Sequence, residues 1–521
     1  MSKEWSEIKA DPKSSKVNEL LAKLEEQAKT SLVKTEIKFG TSGWRAVIGE
    51  TYTVQNVKIA IQAIVEMMKT EVYFKETGLP NFSAVQEKGI LIGRDTRFLG
   101  KEFARAAAEV FAANGIHAYL IGNPSITPDL SLTVVIKDFA GSVNITPSHN
   151  PFEYQGLKFN PADGGTADPI LTNVIEAKAE QLMAGGSYAK YIPAEHDKLI
   201  YQFESMPVYV NALLNSGVID FDFIRKNYDP KNITFITDNV HGASAGYLEL
   251  LLKGLPFPAL RNKPDALFGG IKPEPSAENL QLLFSELSKY STPLKLGVIL
   301  DPDGDRVRFT DGTADIDMNA FGAIAFHYLA TNRQWPGGIA KSVATSNLVN
   351  TIAKDLGRPI FETAVGFKNF RKYLKNDQAV CAFEESDGIT LRNHTLEKDG
   401  VIGALLALEI TLRTGKPLGA YLKMLHDKYG VFVPKRFAAP ISAEQKQKLA
   451  TTLSKFKVGD QIGSRTIAEI ITLDGFKFVF TDNSWLMIRP SGTEPKVRIY
   501  VEAANEQEAE GLFSEGQRLI E

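Results

Sequence analysis

The sequence predicts an α/β protein of three α/β units closed by a smaller α+β domain. Three observations carry this expectation. From residue 89 onward, short apolar runs alternate with longer stretches in which apolar residues recur at helical spacing. Two of the runs, 141–145 and 294–300, lead directly into polar loops, as the strands of an open α/β sheet do at their C-terminal ends. Over roughly the last ninety residues the pattern changes to closely spaced strand-like runs and one amphipathic helix.

Taken in order, Val17, Leu20, Leu21, Leu24 and Ala28 fall on one helical stripe and predict a helix whose role is packing. Ile90-Leu91-Ile92 predicts a buried strand, 102–114 an alanine-rich helix stopped by Gly115, and Ala118-Tyr119-Leu120-Ile121 a second strand, so this stretch reads as a βαβ unit. A helix near 129–138 leads to the strand Gly141-Ser142-Val143-Asn144-Ile145. The second unit starts near residue 200, with a strand over 233–237, a turn at Gly242, a helix over 246–253 and a closing strand over 294–300. The third, from about residue 316, has a helix near 319–331, a strand over 379–383 and a helix over 402–412. In the last region 476–480, 484–488 and 497–501 read as antiparallel strands, and 507–520 as an amphipathic helix.

A chain of 521 residues is too long for one core and suggests about three or four domains. The expected boundaries are 1–199, 200–313, 314–428 and 429–521. The formal charge of −3, from 59 basic and 62 acidic residues, argues against nucleic acid or an anionic membrane as partner, so any anion site must be local. The single cysteine, Cys381, excludes an intramolecular disulfide and fits a reducing compartment. The charged opening and the lack of a long apolar segment lead us to expect a cytoplasmic protein.

The chemistry concentrates in loops. Thr146-Pro147-Ser148-His149-Asn150-Pro151 holds a serine in a prolyl-stiffened loop directly after an apolar strand. A serine hydroxyl serves as nucleophile or phosphoryl carrier only when a metal or base acts on it. Asp301-Pro302-Asp303-Gly304-Asp305-Arg306 places carboxylates at alternate positions where a buried strand ends. In an extended loop, with a rise of about 3.3 Å per residue, neighbouring carboxylates stand roughly 6 to 7 Å apart on one side. At an effective dielectric near 20 each ionised pair then repels by about 2.5 kcal/mol, a penalty that a divalent cation removes. All-oxygen ligation favours Mg²⁺ or another hard cation over zinc. A solvated acidic turn is the competing reading; an EF-hand is disfavoured, because Arg306 and Gly312 stand where that loop needs glycine and glutamate.

Further along, Arg489-Pro490-Ser491-Gly492-Thr493-Glu494-Pro495, with Arg498 just beyond, offers guanidinium, hydroxyls and turn amides that can wrap a phosphate. Glu384-Glu385-Ser386-Asp387-Gly388 offers acceptors and a hydroxyl suited to a sugar. Gly40-Thr41-Ser42-Gly43-Trp44-Arg45 and Gly93-Arg94-Asp95-Thr96-Arg97 are candidates that can equally be structural. Lys158 and Lys398 are cations able to face the same site.

In this order the loops 40–45, 146–151, 301–306, 384–386 and 489–495 resemble those of the α-D-phosphohexomutase superfamily, the phosphoglucomutase and phosphomannomutase enzymes. Pro264-Asp265, Pro273-Glu274-Pro275 and Glu278-Asn279-Leu280 resemble that family's second-domain signature. The resemblance runs nearly end to end. It implies an intramolecular phosphotransferase, an isomerase of sugar 1- and 6-phosphates, with three similar α/β domains of mixed sheet and a smaller C-terminal α+β domain around a central cleft. It implies that Ser148 is phosphorylated and that Asp301, Asp303 and Asp305 bind Mg²⁺ together with a phosphoserine oxygen, with Arg306 adjacent. By the same resemblance Glu384 and Ser386 contact sugar hydroxyls, and Arg489, Ser491, Gly492, Thr493 and Arg498 hold the non-reacting phosphate. Arg45, His149, Lys158 and Lys398 fall where the family places cationic or acid/base residues. Glucose 1,6-bisphosphate is then the intermediate and activator.

The chain departs from the family pattern at Pro147, where alanine is common, at Phe383, where glycine is frequent, and at Asp387. Ile389 and Thr390 follow Gly388 where some relatives carry a histidine, which leaves that acid/base role vacant or taken by Lys158. Paired glutamates before Ser386 favour glucose 1-phosphate and glucose 6-phosphate over mannose or other sugar phosphates. Two rivals remain at this point. A haloacid-dehalogenase-like phosphatase, with an aspartate nucleophile after an apolar strand and a second aspartate two residues on, also fits Asp301 and Asp303 but leaves the Ser148 and Arg489 loops without a role. A sugar-phosphate-binding protein would use the same loops without turnover.

Overall fold

The computed structural model of the chain describes residues 1–40, 43–185, 198–490 and 496–520. The chain divides into two compact units, Met1–Asp315 with Asn393–Arg413, and Ile316–Arg392 with Thr414–Glu521. No helix among the described residues is long and apolar enough to cross a membrane.

The first unit contains two sheets. The apolar runs at 90–94 and 141–145 become strands buried along their whole length, Ile90–Arg94 and Gly141–Ile145, which lie parallel with Ile90 opposite Gly141 and Arg94 opposite Ile145. That register brings both strands to an end at the same edge. The loops carrying Asp95 and Arg97 and the loop carrying Ser148 therefore leave the sheet side by side. Ala118–Ile121 and Ile200–Phe203 extend the sheet in parallel on one side. On the other side Tyr154–Pro161 runs antiparallel to Gly141–Ile145, with Lys158 opposite Asn144, and Trp44–Val47 pairs beyond it. The mixed sheet thus delivers Arg45, Ser148 and Lys158 from three neighbouring strands.

Helices cover this sheet for local reasons. Thr53 caps Val54–Met68 by accepting from the Asn56 amide, and that helix is buried over most of its surface, Asn56, Lys58 and Gln62 included. The predicted helix 102–114 is observed as Gly100–Ala113 and the predicted 17–28 helix as Val17–Thr30. The expected helix near 129–138 starts earlier, as Thr127–Ile136, and that shift matters because it places Thr127 at the helix N-terminus beside the acidic loop. In the second sheet Ile233–Asp238 and Leu294–Leu300 are parallel, and Val307–Thr310 folds back on Leu294–Leu300 with Val307 opposite Leu300. Residues 301–306 are the connection of that hairpin.

The second unit holds a four-stranded mixed sheet in the order Ile360–Thr363, Gly338–Ser342, Ala379–Glu384, Gly388–Leu391. It also holds an antiparallel sheet in which Val433–Pro440, Lys496–Ala503, Trp485–Pro490, Phe476–Phe480 and Arg465–Ile471 are successive neighbours. The change of pattern in the last residues of the sequence corresponds to this sheet and to the helix Glu506–Ile520.

Candidate active site

Ser148 sits in the left-handed region at φ 58°, an uncommon conformation for a residue with a β-carbon, and its side chain is buried. Its amide donates to Thr146 Oγ1 (3.0 Å), and Thr146 Oγ1 in turn donates to Asp95 Oδ2 (2.8 Å). Arg97 holds the rest of the loop: its guanidinium donates to the carbonyls of Ser148 (2.6 Å), Asn150 (2.5 Å), Pro151 (2.7 Å) and Tyr154 (3.3 Å), while Asp95 balances its charge. This side chain is structural, one of the two possibilities the sequence left open. It fixes the backbone so that Ser148 Oγ donates to Asp301 Oδ2 at 2.7 Å. His149 Nδ1 lies 3.4 Å from the same Oγ.

The acidic loop is not extended, as the sequence-based spacing assumed. Gly304, at φ 65°, turns the chain so that its amide donates to the Asp301 carbonyl (3.0 Å), and the Arg306 amide donates to Asp301 Oδ1 (3.1 Å). Consequently one oxygen from each of Asp301, Asp303 and Asp305 lies within 4.8 Å of the others, closer than the extended spacing predicts, and all three residues are buried. Asp303 Oδ1 and Asp305 Oδ1 are buried and accept no hydrogen bond among the described residues. Converging hard-oxygen donors with unused lone pairs fit a divalent cation of the Mg²⁺ class.

Cations surround the carboxylates. Lys158 Nζ is 2.6 Å from Asp303 Oδ2 and 2.7 Å from Asp305 Oδ2, and Lys398 Nζ is 3.4 Å from Asp305 Oδ2. Thr127 adds a hydroxyl and an amide, donating to Asp303 Oδ2 (2.6 Å) and to the Asp303 carbonyl (2.8 Å). Burial works against the Lys158 ammonium, but Asp303 and Asp305 outweigh it and push its pKa up. Burial would likewise raise Asp305, yet Lys158, Lys398 and Arg306 hold it below the ordinary carboxylate range. Asp301 is pushed well up by burial and then by Asp303 and Asp305, which together outweigh the opposing pull of Arg306 and Lys158. Arg45 lies in the field of Arg306, Asp303 and Asp305. Burial, followed by Arg306, Arg45, Lys272 and Lys398, drives His149 well below its usual pKa, so its imidazole is neutral at neutral pH.

In the second unit Glu384 ends a strand, and its pairing with Gly388 makes 385–387 a tight turn that presents Ser386. Glu384 is buried, and Glu385 Oε2 accepts from Ser342 Oγ at 3.0 Å. Arg489 and Arg498 stand opposite each other on adjacent strands, with Arg489 Nε donating to Asp474 Oδ2 (2.7 Å). Arg436 is opposite Tyr500 in the same sheet, and Tyr500 lies in the field of Glu385, Arg498, Arg436 and Arg489. One face therefore carries three guanidinium groups. Ser491, Gly492 and Thr493, expected to complete the phosphate loop, lie outside the described residues, as do Thr41 and Ser42 of the glycine-rich loop.

Four family models match along the chain in order. The phosphoglucomutase/phosphomannomutase α/β/α domain I matches residues 36–185, domain II 207–314, domain III 317–429 and the C-terminal domain 439–515. The chain belongs to the α-D-phosphohexomutase superfamily. It is 29% identical over 514 residues to a phosphoglucomutase of Komagataeibacter xylinus, covering 91% of this chain and 88% of the relative. It is 28% identical over 489 residues to a phosphoglucomutase/phosphomannomutase of Thermococcus kodakarensis, covering 93% and 98%. Among solved structures a candidate phosphomannomutase of Thermus thermophilus superposes with a TM-score of 0.76 at 26% identity, covering 94% of this chain and 100% of that one.

The protein is accordingly a phosphohexomutase, and neither the phosphatase nor the passive sugar-phosphate-binding reading survives. Its architecture is that of the superfamily, three α/β domains and a C-terminal domain. Three residues that the sequence alone does not mark stand beside the candidate residues, Thr127 and Asn144 at the acidic loop of the first unit and Arg436 on the arginine-bearing face of the second. Thr127 and Asn144 had no motif to mark them, since they meet the acidic loop only through sheet register and a helix start; Asn144 Nδ2 donates to Thr127 Oγ1 at 3.0 Å. Arg436 gave no signal beyond alternation along a strand.

Proposed function

We propose that this phosphohexomutase interconverts glucose 1-phosphate and glucose 6-phosphate, with Ser148 as phosphoryl store and glucose 1,6-bisphosphate as intermediate. The observation that carries the reading is the 2.7 Å contact from Ser148 Oγ to Asp301 Oδ2, inside a cluster of three buried carboxylates. In the phosphorylated form the free hydroxyl oxygen of the sugar phosphate attacks phosphorus, the P–Oγ bond breaks, and the hydroxyl proton passes to a base. The resulting bisphosphate turns over and returns its other phosphoryl group to Ser148.

Neutral His149, with Nδ1 3.4 Å from Ser148 Oγ, is placed to take and return a proton at that oxygen. Asp301, Asp303 and Asp305 would hold Mg²⁺ with a phosphoserine oxygen, and the ion when bound neutralises charge on the transferring group. Lys158, Lys398, Arg45 and Arg306 add fixed positive charge where phosphate charge accumulates. Glu384 and Ser386 orient the sugar hydroxyls. Arg489 and Arg498, together with Ser491, Gly492 and Thr493, hold the far phosphate. The paired Glu384 and Glu385, and the likeness to a phosphoglucomutase, favour glucose. We place the enzyme in the cytoplasm, a reducing compartment consistent with its lone buried cysteine, Cys381.

The test is intact mass combined with turnover. Wild-type protein incubated with glucose 1,6-bisphosphate and Mg²⁺ gains one phosphoryl group at Ser148, Ser148→Ala folds and loses most turnover, and specificity constants over glucose, mannose, glucosamine and ribose phosphates rank glucose first. An unphosphorylated Ser148, or a folded Ser148→Ala variant with near-wild-type activity, overturns the mechanism. Another sugar in first place overturns only the choice of substrate.

A further inference from the structure

The Ser148 loop holds a left-handed, non-glycine residue, a conformation that persists only where the surroundings over-determine it. Arg97 provides one set of restraints through its bonds to four loop carbonyls. A second set comes from the start of the chain, ahead of the stretch that matches domain I at 36–185.

Ser2 caps the helix Lys3–Ala10 by accepting from the Trp5 amide, and Trp5 and Ile8 on its inner face are fully buried. The Trp5 ring lies 5.9 Å from that of Phe152 and 6.4 Å from that of Phe98. Phe152 directly follows the Ser148 loop, and Phe98 directly follows Arg97. The Trp5 indole N–H donates to the Ile48 carbonyl (2.8 Å), and the Ile48 amide donates to the Glu153 carbonyl (2.9 Å). Lys9 pairs with the carboxylate of the buried Glu153. Two residues past that helix, Pro12 packs against Gly270, where a β-carbon would come within 3.0 Å of the proline ring. Phe268, in the same turn, lies under the Arg97 guanidinium at 4.7 Å. The segment therefore reaches the Ser148 loop by two routes, through Phe152 and Glu153 at its exit and through Phe268 at the arginine that clasps it.

We propose that residues 2–12 form a brace that holds the Ser148 loop in its reactive geometry, with Trp5 and Lys9 as positioning residues. The proposal rests on Ser148 being the phosphoryl carrier. Trp5 and Lys9 act through Phe98, Phe152, Ile48 and Glu153, denying them the freedom to relax. A loosened loop presents the phosphoryl group off line to the sugar hydroxyl and opens it to water, whereas substrate affinity, set by other residues, is unchanged.

The experiment compares wild type with Trp5→Leu, Lys9→Met and Lys9→Arg. The readouts are kcat and KM per folded molecule, and the lifetime of phosphorylated Ser148 in buffer followed by intact mass. The expected result is a loss of kcat on the order of tenfold for Lys9→Met and on the order of a hundredfold for Trp5→Leu. KM should be unchanged, phosphoserine hydrolysis faster, and Lys9→Arg close to wild type. Lys9 is partly exposed, so its variants report even if Trp5→Leu does not fold. If Lys9→Met melts at a lower temperature but keeps wild-type kcat and phosphoserine lifetime, the segment only adds stability and the brace is refuted. Failure of the carrier role itself is seen separately, as wild-type protein that never acquires phosphate on Ser148.

Discussion

Lys158 Nζ lies 2.6 Å from Asp303 Oδ2, so a strand of the first sheet places its ammonium directly on the acidic loop of the second. The pair is buried on both sides. Removing one member of such a pair leaves an uncompensated charge, at a typical cost of about 3–5 kcal/mol. Lys158→Met should therefore lower the melting temperature of metal-free protein substantially. Saturating Mg²⁺ should restore much of the loss, since a ligand at a hundredfold excess over its Kd stabilises by about 2.7 kcal/mol. Melting curves with EDTA and with Mg²⁺ check this; equal losses under both conditions would mean that the ammonium and the cation do not balance the same carboxylates.

Chelation should abolish turnover without unfolding the wild-type protein, because Lys158, Lys398 and Thr127 already stabilise the carboxylates. Asp303→Asn keeps the shape but removes one charge. It should weaken Mg²⁺ by at least the roughly 10–100-fold typical of losing an outer-shell partner, since Asp303 is proposed as a direct ligand. The dependence of turnover on Mg²⁺ concentration measures it, and an unchanged dependence removes Asp303 from the ligand set.

Arg97→Lys keeps the charge but cannot reproduce a planar fork shared among four carbonyls. We expect a folded protein whose kcat falls on the order of a hundredfold, the scale of a misplaced reacting group. Circular dichroism and steady-state kinetics on the same sample separate the two quantities, and wild-type kcat would show that the loop keeps its geometry without the fork.

Asp129 predicts a pH dependence of stability. Burial raises its pKa to about 6, although Ser205 (2.6 Å), Tyr247 (2.6 Å) and Thr133 (3.0 Å) all donate to it. A carboxyl raised on folding favours the native state when protonated. That contribution is complete below the unfolded-state pKa, near 4, and is lost as pH rises through about 6. Asp129→Asn removes this loss, so its stability relative to wild type should improve by roughly 2–3 kcal/mol between pH 4 and pH 7.5. Denaturation at both pH values tests the sign, and a relative stability that does not change with pH contradicts it.

Much of the architecture was legible because it rests on local patterns. Apolar runs such as 294–300 are strands buried over most of their length, and alanine-rich 102–114 has the composition of a helix. Long stretches went unread, among them the helices Val54–Met68 and Pro169–Gly185 and the strand Tyr154–Pro161. Val54–Met68 does carry a polar stripe at helical spacing through Gln55, Lys58, Gln62 and Glu66, so its pattern was present but not used, while Tyr154–Pro161 mixes polar and apolar residues that are all but one buried within the sheet. At the site, Ser148 and the three aspartates carried dense local signals. Thr127 and Asn144 did not, because a threonine and an asparagine mean nothing until register sets their neighbours, and Arg97 was marked only as a candidate whose structural role the fold had to decide.

The sequence by itself located the chemistry and, through the order of its loops, their resemblance to the superfamily: a serine in a stiff loop, alternating carboxylates after a buried strand, and an arginine-bearing turn need no coordinates to be read, although a phosphatase and a passive binding protein stayed open beside the mutase. Tertiary structure decided how these parts work on one another. The parallel register of Ile90–Arg94 with Gly141–Ile145 put Arg97 under the Ser148 loop, and the turn at Gly304 drew the carboxylates closer than an extended chain allows. The antiparallel strand beside them delivered Lys158. Each of these depends on contacts between residues far apart in the chain, and their energies are set by burial and distance, which composition and spacing do not encode.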